Sequence, residues 1–509
     1  GFEDEWAEWV TLFEPTGSRW LRGFVKTKSY IVLNVLDNVR SQLVAWQYNG
    51  NYWGEVEDRA EPSLNTFTIF PIDAREDDFW LLSEGFLDPP ELARVAAGNL
   101  RKRRGVLEQR DERAGGLALE GVEPVQHWVR SADGARVPFF LVGPRGSGED
   151  TPTLLCVYGG FGVPALPFYS AALREKWLAR GGALVLAGVR GGGELGPAWH
   201  KAARRGDRER SFQDLEAVAR HLVASGVTSP AKLALWGIGP GGLLACGLLL
   251  RLGARLLGAA VCEAPLLDLG ALRRLGDAGP PVAGRPPMLA IEEYGDPDDN
   301  ATWERMRGIS PYHFALPGAE YPPVLLLART APEPSWTAHP AHARRLAAKL
   351  QQTTASGRRA FLYEQDAAPA AWAPAPDEAW PSILRAFVLD PDFSAVRFGF
   401  LAGVLGLDEA GGEPPADGTP PPAPPCEEEE TVLDNDTGSI PLALAATALC
   451  FATAWYANRR TGIWGAGRQT DADAGQAGAA AERTTAGVEL QSGHPRHGGA
   501  RGNGGAGAP

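Results

Sequence analysis

The sequence contains few cysteines and no excess of basic residues. Its 509 residues include 5 cysteines, none of them in a CxxC pair, so the sequence predicts no disulfide framework, and we expect the thiols to be reduced or inert. The 49 basic residues are outnumbered by 62 acidic residues, whereas a dedicated nucleic-acid binder needs a basic face. The mean hydropathy of −0.18 excludes a protein that crosses a membrane many times.

The given sequence begins without an initiating methionine, and we expect no secretory leader in it. It begins at Gly1, and no basic segment followed by an apolar run comes after it. We expect that the chain was processed or that it is a fragment of a longer product. The incomplete N-terminal domain described below favours a fragment.

Residues 1–118 contain short strand-like segments separated by turns. β-branched and aromatic residues are frequent at 29–36, 42–48 and 66–70, and an Asn-Gly-Asn turn occurs at 49–51. Strands at this spacing are typical of a sandwich or of propeller blades. The segment is long enough for about two blades.

The character of the sequence changes over residues 119–392, where apolar strand-like runs alternate with helical runs. Strand-like runs at 153–158 and 232–236 flank a helical run at 212–225, and a further helix is predicted at 243–252. This alternation indicates βαβ units and a mostly parallel sheet covered by helices.

The C-terminal part of the chain is divided by composition. Residues 393–437 read as a linker rich in proline, glycine and acidic residues. Residues 438–458 are a candidate membrane-spanning helix, because 440–457 is an apolar run that two arginines follow. Two interpretations stay open: the segment is a single membrane helix, or it does not span a membrane. If it spans, the two arginines that follow it predict a C-terminus in the cytoplasm. Residues 459–509, rich in glycine and alanine, are expected to be disordered.

A glycine-rich turn lies between the predicted strand and the helix at 243–252. In an α/β-hydrolase, a G-x-S-x-G turn at this place lifts a nucleophilic serine above the sheet, and the next backbone N–H helps to bind the oxyanion. Here the turn reads Gly-Ile-Gly-Pro-Gly-Gly over 237–242. The nucleophile position is therefore Gly239, and the next position is Pro240, which has no N–H to donate.

Further segments follow one another in a fixed order: YGGFG at 158–162, RGGGE at 190–194, WH at 199–200, VTSP at 227–230, EYGDP at 293–297, SPYH at 310–313 and YPPVL at 321–325. Together with the glycine turn, this series resembles the prolyl oligopeptidase family of serine peptidases over roughly residues 24–392. The resemblance implies an α/β-hydrolase domain preceded by a seven-bladed β-propeller. Residues 24–110 look like the last part of that propeller, so we expect a partial propeller whose earlier blades are missing.

The resemblance also implies where the family's catalytic triad falls in this sequence. The serine, the acid and the histidine correspond to Gly239, Trp336 and Ala370, so no member is intact. A shift of one or two positions does not restore the triad. No Asp lies within 328–338, and no His occurs between His342 and His494.

The oxyanion and substrate positions of the family are partly retained. The tyrosine that donates to the oxyanion corresponds to Tyr158, while the second donor falls on Pro240. The tryptophan and the arginine that contact substrate in the family correspond to Ala290 and Thr337, so both are substituted.

These observations predict a homologue of serine-type peptidases that has lost hydrolytic activity and binds a peptide or a protein. Two alternatives stay open at this point: an active serine hydrolase that cleaves short peptides with displaced catalytic residues, and a non-functional product of a truncated gene. No His, Asp and Glu cluster has metal-ligand spacing, so neither a metal nor a cofactor is expected. Nucleic acid is not an expected partner, and the resemblance implies a cytoplasmic protein unless 440–457 spans a membrane.

Four charged residues in these segments are predicted to have structural roles only. Arg190 and Glu194 are expected to hold a loop, whereas Glu263 and Asp268 are expected to be solvated in loops at a strand end.

Overall fold

The computed structural model describes residues 9–57, 61–108, 119–272, 288–329, 339–353, 355, 359–365, 391–407 and 489–491. These residues form two four-stranded antiparallel sheets, one eight-stranded mixed sheet and one short two-stranded pair. The small sheets come first in the chain, and the large sheet with its helices follows.

The two small sheets are antiparallel meanders in which neighbouring strands are consecutive in the chain. After a short strand β1 (Trp9–Thr11), the first sheet contains β2 (Arg19–Lys26), β3 (Tyr30–Asp37), β4 (Arg40–Tyr48) and β5 (Trp53–Glu55). The second contains β6 (Thr66–Pro71), β7 (Asp78–Glu84), β8 (Glu91–Ala96) and β9 (Asn99–Glu108). Each sheet is one four-stranded blade, as the sequence predicted.

The first blade is buried on both of its faces. Successive residues of a strand point to opposite faces. Val32 of β3 packs in a cluster with residues of the second blade, such as Phe79, whereas its neighbour Leu33 packs in a cluster with Leu12 and Phe13. The blades therefore stack on each other, and residues preceding β2 cover the opposite face of the first blade.

The large sheet has the strand order β10-β11-β13-β12-β14-β15-β16-β17. β10 and β11 are antiparallel to their neighbours, and the remaining strands are parallel. The strands are β10 (Val122–Arg130), β11 (Arg136–Pro144), β12 (Thr153–Val157), β13 (Ala183–Ala187), β14 (Leu233–Ile238), β15 (Ala259–Glu263), β16 (Val324–Arg329) and β17 (Ala360–Gln365). The fully buried residues of β12 to β15 explain the continuous apolar runs in the sequence, because a parallel strand covered on both faces needs no polar side.

Helices cover both faces of the large sheet. The helices are α1 (Ala171–Lys176), α2 (Pro197–Lys201), α3 (Glu209–Ala224), α4 (Pro240–Leu252), α5 (Met288–Tyr294), α6 (Asn300–Ile309), α7 (Pro311–Phe314), α8 (Ala341–Thr353) and α9 (Pro391–Leu405). Residues of α3, α4 and α8 pack into one hydrophobic cluster with the sheet, and residues of α1 and α9 pack into a second cluster on the other face.

The helix α9 corrects the predicted start of the linker at residue 393. Phe393, Phe398, Leu401 and Leu405 are all buried against the sheet. Burying four large apolar side chains stabilises the folded chain, whereas an extended linker would leave them in water. This segment therefore packs as part of the α/β unit. The rest of 393–437, all of 438–458 and most of 459–509 lie outside the described residues.

Two findings concern the predicted C-terminal segments. The strand β18 (Glu489–Gln491) pairs antiparallel with β1, with Trp9 opposite Gln491. These three residues therefore differ from the expectation that 459–509 is disordered. Among the helices that the structure describes, none combines the length and the apolar character needed to cross a membrane. The candidate span 440–457 is not among them.

The blades contact the α/β unit next to the segment that follows β12. The hydroxyl of Thr66 donates to the carbonyl of Pro167 over 2.6 Å, and the indole N–H of Trp20 donates to the carbonyl of Glu194 over 3.2 Å. Phe86 of the second blade packs against Phe140 and other residues of the sheet's second cluster. The blades are thus joined to the α/β unit by a shared apolar core as well as by hydrogen bonds.

Candidate functional site

The glycine turn connects β14 to α4 in a backbone conformation that favours glycine. Gly239 follows the last residue of β14 and has φ 52° and ψ −116°, and α4 begins at Pro240. The N–H of Gly239 donates to the carbonyl of Glu263 over 2.9 Å, and its carbonyl accepts from the N–H of Leu266 over 3.0 Å. The end of β15 therefore fixes the turn from both sides of Gly239.

Close packing around the turn explains the other glycines but not Gly239. A Cβ added to Gly237 would clash with the carbonyl of Gly241, and one added to Gly241 would clash with the carbonyl of Val157. A Cβ at Gly239 would meet no heavy atom within 4 Å. The turn thus leaves room for a side chain at the predicted nucleophile position, and Gly239 supplies none.

Pro240, the predicted position of the second oxyanion donor, is the first residue of α4. Proline suits this position in a helix because its φ is already helical and no partner is needed for the missing N–H. The same missing N–H means that the backbone cannot donate to an oxyanion here. Its ring lies against the loop after β12, since a Cβ added to Gly160 would be 3.0 Å from the Cβ of Pro240.

Tyr158 follows directly after β12 and is 2% exposed. Burial raises the pKa of its hydroxyl well above the ordinary value, and the neighbouring Tyr294 and Glu293 raise it further, although Arg208 opposes them. The phenol therefore stays neutral and keeps its proton over the whole physiological range. It retains the protonated O–H group that the predicted oxyanion donor requires.

A buried charged network lies beside Tyr158 and the turn. The guanidinium of Arg208 donates to the carbonyl of Gly159 over 2.7 Å and to Oε1 of Glu293 over 2.5 Å. The other carboxylate oxygen of Glu293 lies 2.7 Å from Nε2 of His200, and Oε1 also accepts the N–H of Phe161 over 3.0 Å. These contacts hold the loop after β12 against α5.

The electrostatics of this network keep Glu293 ionised. Burial disfavours its charge, but Arg208 and His200 outweigh that effect and hold the pKa of the carboxyl below its usual value. Arg208 also lies over the ring of Tyr294, with 4.8 Å between the guanidinium carbon and the ring centroid. Burial raises the pKa of the Tyr294 hydroxyl. A carboxylate, a guanidinium and two neutral phenols therefore surround the loop after β12.

The predicted substrate position Ala290 lies in α5, one turn before Tyr294. Ala290 is fully buried in the core cluster, and Phe161 packs edge-on against Tyr294 with 5.9 Å between ring centroids. The structure thus brings Tyr158, the glycine turn and Glu293 of α5 together, while Ala290 of the same helix lies in the core cluster. Trp336, Thr337 and Ala370, the other predicted positions, lie outside the described residues.

A Ser, His and Asp grouping occurs in another part of the α/β unit. Oγ of Ser310 lies 2.9 Å from Nδ1 of His313, and the same nitrogen lies 3.8 Å from Oδ1 of Asp268. A triad needs the acid and the nucleophile on opposite ring nitrogens of the histidine. Ser310 is also fully buried, and its hydroxyl accepts the N–H of Leu269 over 3.0 Å. The grouping is therefore a structural junction at the start of α7.

The expectation that Glu263 and Asp268 are solvated in loops is wrong. Glu263 is fully buried and forms an ion pair with Arg397 of α9, while it also accepts from the indole of Trp236 over 2.8 Å. Asp268 is 1% exposed and pairs with Arg345. Sequence reasoning missed these pairs because the partners are far along the chain and no spacing connects them.

The structural roles predicted for Arg190 and Glu194 are confirmed. Arg190 binds both Asp214 of α3 and Asp133 of the β10–β11 turn, and its side chain is 5% exposed. Glu194 accepts the N–H of Ala165 over 2.8 Å, and burial raises the pKa of its carboxyl to about 8. Over the part of the chain that the structure describes, no group of three His, Cys, Asp or Glu side chains could hold a metal ion.

Comparison with known families gives a match over much of the α/β unit. Residues 169–367 match the sequence model of the prolyl oligopeptidase family. An uncharacterized peptidase of Sinorhizobium fredii is 36% identical over 346 residues, which cover 67% of this chain and 45% of that protein. A dual function macrocyclase-peptidase of Amanita bisporigera is 28% identical, covering 70% of this chain and 49% of its own length. The chain thus spans about half the length of the curated relatives it matches.

Solved structures give the same result for the fold. A post-proline cleaving enzyme from Rickettsia typhi superposes with a TM-score of 0.62 at 26% identity, over 78% of this chain and 53% of that one. A structure from a study of two prolyl endopeptidases superposes with a TM-score of 0.63 at 26% identity, over 77% of this chain and 54% of the other. The predicted fold class, an α/β-hydrolase domain preceded by a partial β-propeller, is confirmed.

Proposed function

Because the chain belongs to the prolyl oligopeptidase family, we propose that it is a homologue of these serine peptidases that binds peptides without hydrolysing them. The observation that carries the proposal is Gly239 at the apex of the turn between β14 and α4. Hydrolysis by this family needs a side-chain nucleophile at that position, and glycine has no side chain.

The loss of the nucleophile alone has a large effect on rate. Removing one member of a catalytic triad typically lowers the rate by about 10⁴ to 10⁶. The rate that survives such a loss depends on the oxyanion hole, and Pro240 removes one donor, which is worth roughly 3–4 kcal/mol of transition-state stabilisation. Trp336 and Ala370, in place of the acid and the histidine, are part of the same proposal.

One group that could contact a peptide is retained, whereas two others are substituted. Tyr158 keeps its proton and can donate to a peptide carbonyl, and the Arg208–Glu293 ion pair keeps the loop after β12 in place. Ala290 and Thr337 replace the substrate-contacting tryptophan and arginine of the family. We therefore propose that the ligand is a peptide, either free or part of a partner protein. Because the two family residues that contact substrate are replaced, the site should prefer peptides with residues other than proline at the bound position.

The test of lost activity is covalent labelling of the full chain. We expect no labelling by a fluorophosphonate serine probe and no release of fluorophore from a Gly-Pro substrate above the rate of a heat-denatured sample. An active prolyl oligopeptidase serves as the positive control. Labelling of this chain, mapped to a serine by mass spectrometry, would establish the alternative of an active hydrolase with displaced residues.

The test of peptide binding is separate from the test of activity. Short peptides are titrated one at a time against the full chain by calorimetry. The titration of the peptide that binds most tightly is then repeated with the Tyr158→Phe variant. Loss of one hydrogen bond to a carbonyl should weaken binding about 3- to 10-fold. Tyr321→Phe, at a buried tyrosine of another segment, is the matched control. Absence of both labelling and binding, together with no cooperative melting, would favour the non-functional gene product.

A cytoplasmic location is proposed from the family resemblance. Its test is fractionation of cells that produce the full chain. Recovery in the membrane pellet after alkaline carbonate extraction would instead support a single spanning helix at 440–457, and deletion of that segment should then release the protein.

A further inference from the structure

Two thiols face each other behind the glycine turn. Cys246 lies on α4, the helix that begins at Pro240, and Cys262 is the penultimate residue of β15. Their Sγ atoms are 2.8 Å apart, and both side chains are buried, with exposed fractions of 1% and 0%. Both cysteines belong to the core cluster on the α3 and α4 side of the sheet.

We propose that Cys246 and Cys262 form an oxidisable dithiol that closes to a disulfide when a small peroxide reaches it. This modification site is independent of the function proposed above. The sulfur atoms of a disulfide lie about 2.05 Å apart, so these two need to approach by less than about 1 Å. The helix and the strand already pack closely here, because a Cβ added to Gly242 would lie 3.8 Å from the Cβ of Cys262.

The oxidation balances with one molecule of hydrogen peroxide. The thiolate of one cysteine attacks a peroxide oxygen, the O–O bond breaks, and a sulfenic acid and one water result after protonation. The thiol of the other cysteine then attacks the sulfenic sulfur, which releases a second water and forms the S–S bond. Two thiols are oxidised, and one peroxide is reduced to two waters.

The surroundings of the pair determine how fast and how far oxidation goes. The pair is buried in the core cluster, which admits a small neutral oxidant more readily than a large disulfide such as oxidised glutathione. Burial raises the pKa of the Cys262 thiol, and the adjacent Cys246 raises it further, so thiolate is scarce at neutral pH and the first step is slow. The second thiol is already in contact, so it intercepts the sulfenic acid before further oxidation.

The disulfide would join two elements that fix the turn. α4 starts next to Gly239, and the carbonyl of Glu263, one residue after Cys262, accepts the N–H of Gly239. Closing the 246–262 segment restricts the unfolded chain, so the oxidised protein should melt at a higher temperature than the reduced protein.

The test is peptide mapping of the full chain after treatment with hydrogen peroxide. Remaining thiols are alkylated, the protein is digested without reductant, and cross-linked peptides are identified by mass spectrometry. We expect a peptide that joins Cys246 to Cys262, which disappears on reduction, together with a raised melting temperature. Cys246→Ala should abolish both effects. Cys156→Ala, at a buried cysteine of the cluster on the opposite face of the sheet, should retain both.

Three results would overturn the proposal. Cys246 and Cys262 could be recovered as free thiols after peroxide has oxidised other cysteines of the folded protein. Either residue could be found as a sulfinic acid or bonded to a different cysteine. The cross-link could also form only in urea, when the chain is unfolded. Because the peptide map is made on the unmodified chain, the result does not depend on whether a variant folds.

Discussion

Arg208 and Glu293 form a buried ion pair next to the turn that lacks a nucleophile, with 2.5 Å between Nη2 and Oε1 and side chains that are 1% and 2% exposed. The arginine also binds the carbonyl of Gly159, and the glutamate also binds His200 and the N–H of Phe161. The pair therefore fixes the shape of the site independently of any catalytic residue.

We expect Glu293→Gln to destabilise the protein by about 3–5 kcal/mol, because it leaves the Arg208 guanidinium buried without a counter-charge. Chemical denaturation followed by fluorescence measures this change. The matched control is Glu216→Gln, which breaks the exposed pair with Arg220 and should cost less than about 1 kcal/mol. Equal stability of the two variants would contradict the role assigned to the pair.

A second prediction concerns Glu194, whose pKa is raised to about 8 by burial. Between its unfolded pKa, about 4.3, and the folded value, the folded state binds more protons, so this residue makes stability fall as pH rises. Glu194→Gln removes that dependence. The difference in melting temperature between the variant and the original chain should therefore grow from pH 5 to pH 8, in favour of the variant. A difference that stays constant over this range would show that Glu194 does not titrate there.

The glycines of the turn should differ in their tolerance of a side chain. Gly239→Ser meets no steric obstacle, and only the strained backbone conformation costs stability, about 1–3 kcal/mol. Gly241→Ala places a methyl group against the carbonyl of Val157 and should be the more harmful variant. Melting temperatures compare the two. Gly239→Ser should also remain unlabelled by a fluorophosphonate, since no base is restored with it, and labelling would contradict the proposed loss of the triad.

The ion pair between Arg397 and Glu263 predicts that α9 is essential to the α/β unit. Arg397→Leu leaves the Glu263 carboxylate buried without a counter-charge and should cost about 3–5 kcal/mol. Arg344→Leu, which breaks the more exposed pair with Glu364, is the control and should cost under about 1 kcal/mol. Denaturation midpoints of the two variants measure the difference, and similar midpoints would argue against the assignment of α9 to this unit.

The strands and helices of the α/β unit could be predicted because their burial is visible in the sequence. β12 and β14 are continuous apolar runs, and a strand covered on both faces leaves such a run. The glycine turn lies between a strand and a helix as predicted, although α4 begins at Pro240 and not at residue 243. Close backbone contacts require glycine at 237 and 241.

What the sequence could not give are the contacts between distant segments. α9 was assigned to a linker because it borders a proline-rich stretch, and its place in the core depends on the sheet face that β14, β15 and β16 present together. Likewise, Glu263 looked like a loop residue, since its partner Arg397 lies 134 positions away. Pairs of this kind follow from tertiary packing, which leaves no local pattern.

The open space around Gly239 has an evolutionary consequence. A serine held at a positive φ carries backbone strain that a peptidase must tolerate in order to cleave, whereas glycine adopts the same conformation freely. Under the proposed loss of the nucleophile, glycine at this position removes that strain from the turn. The stability gained at residue 239 would then offset part of the cost of destabilising substitutions elsewhere in the chain.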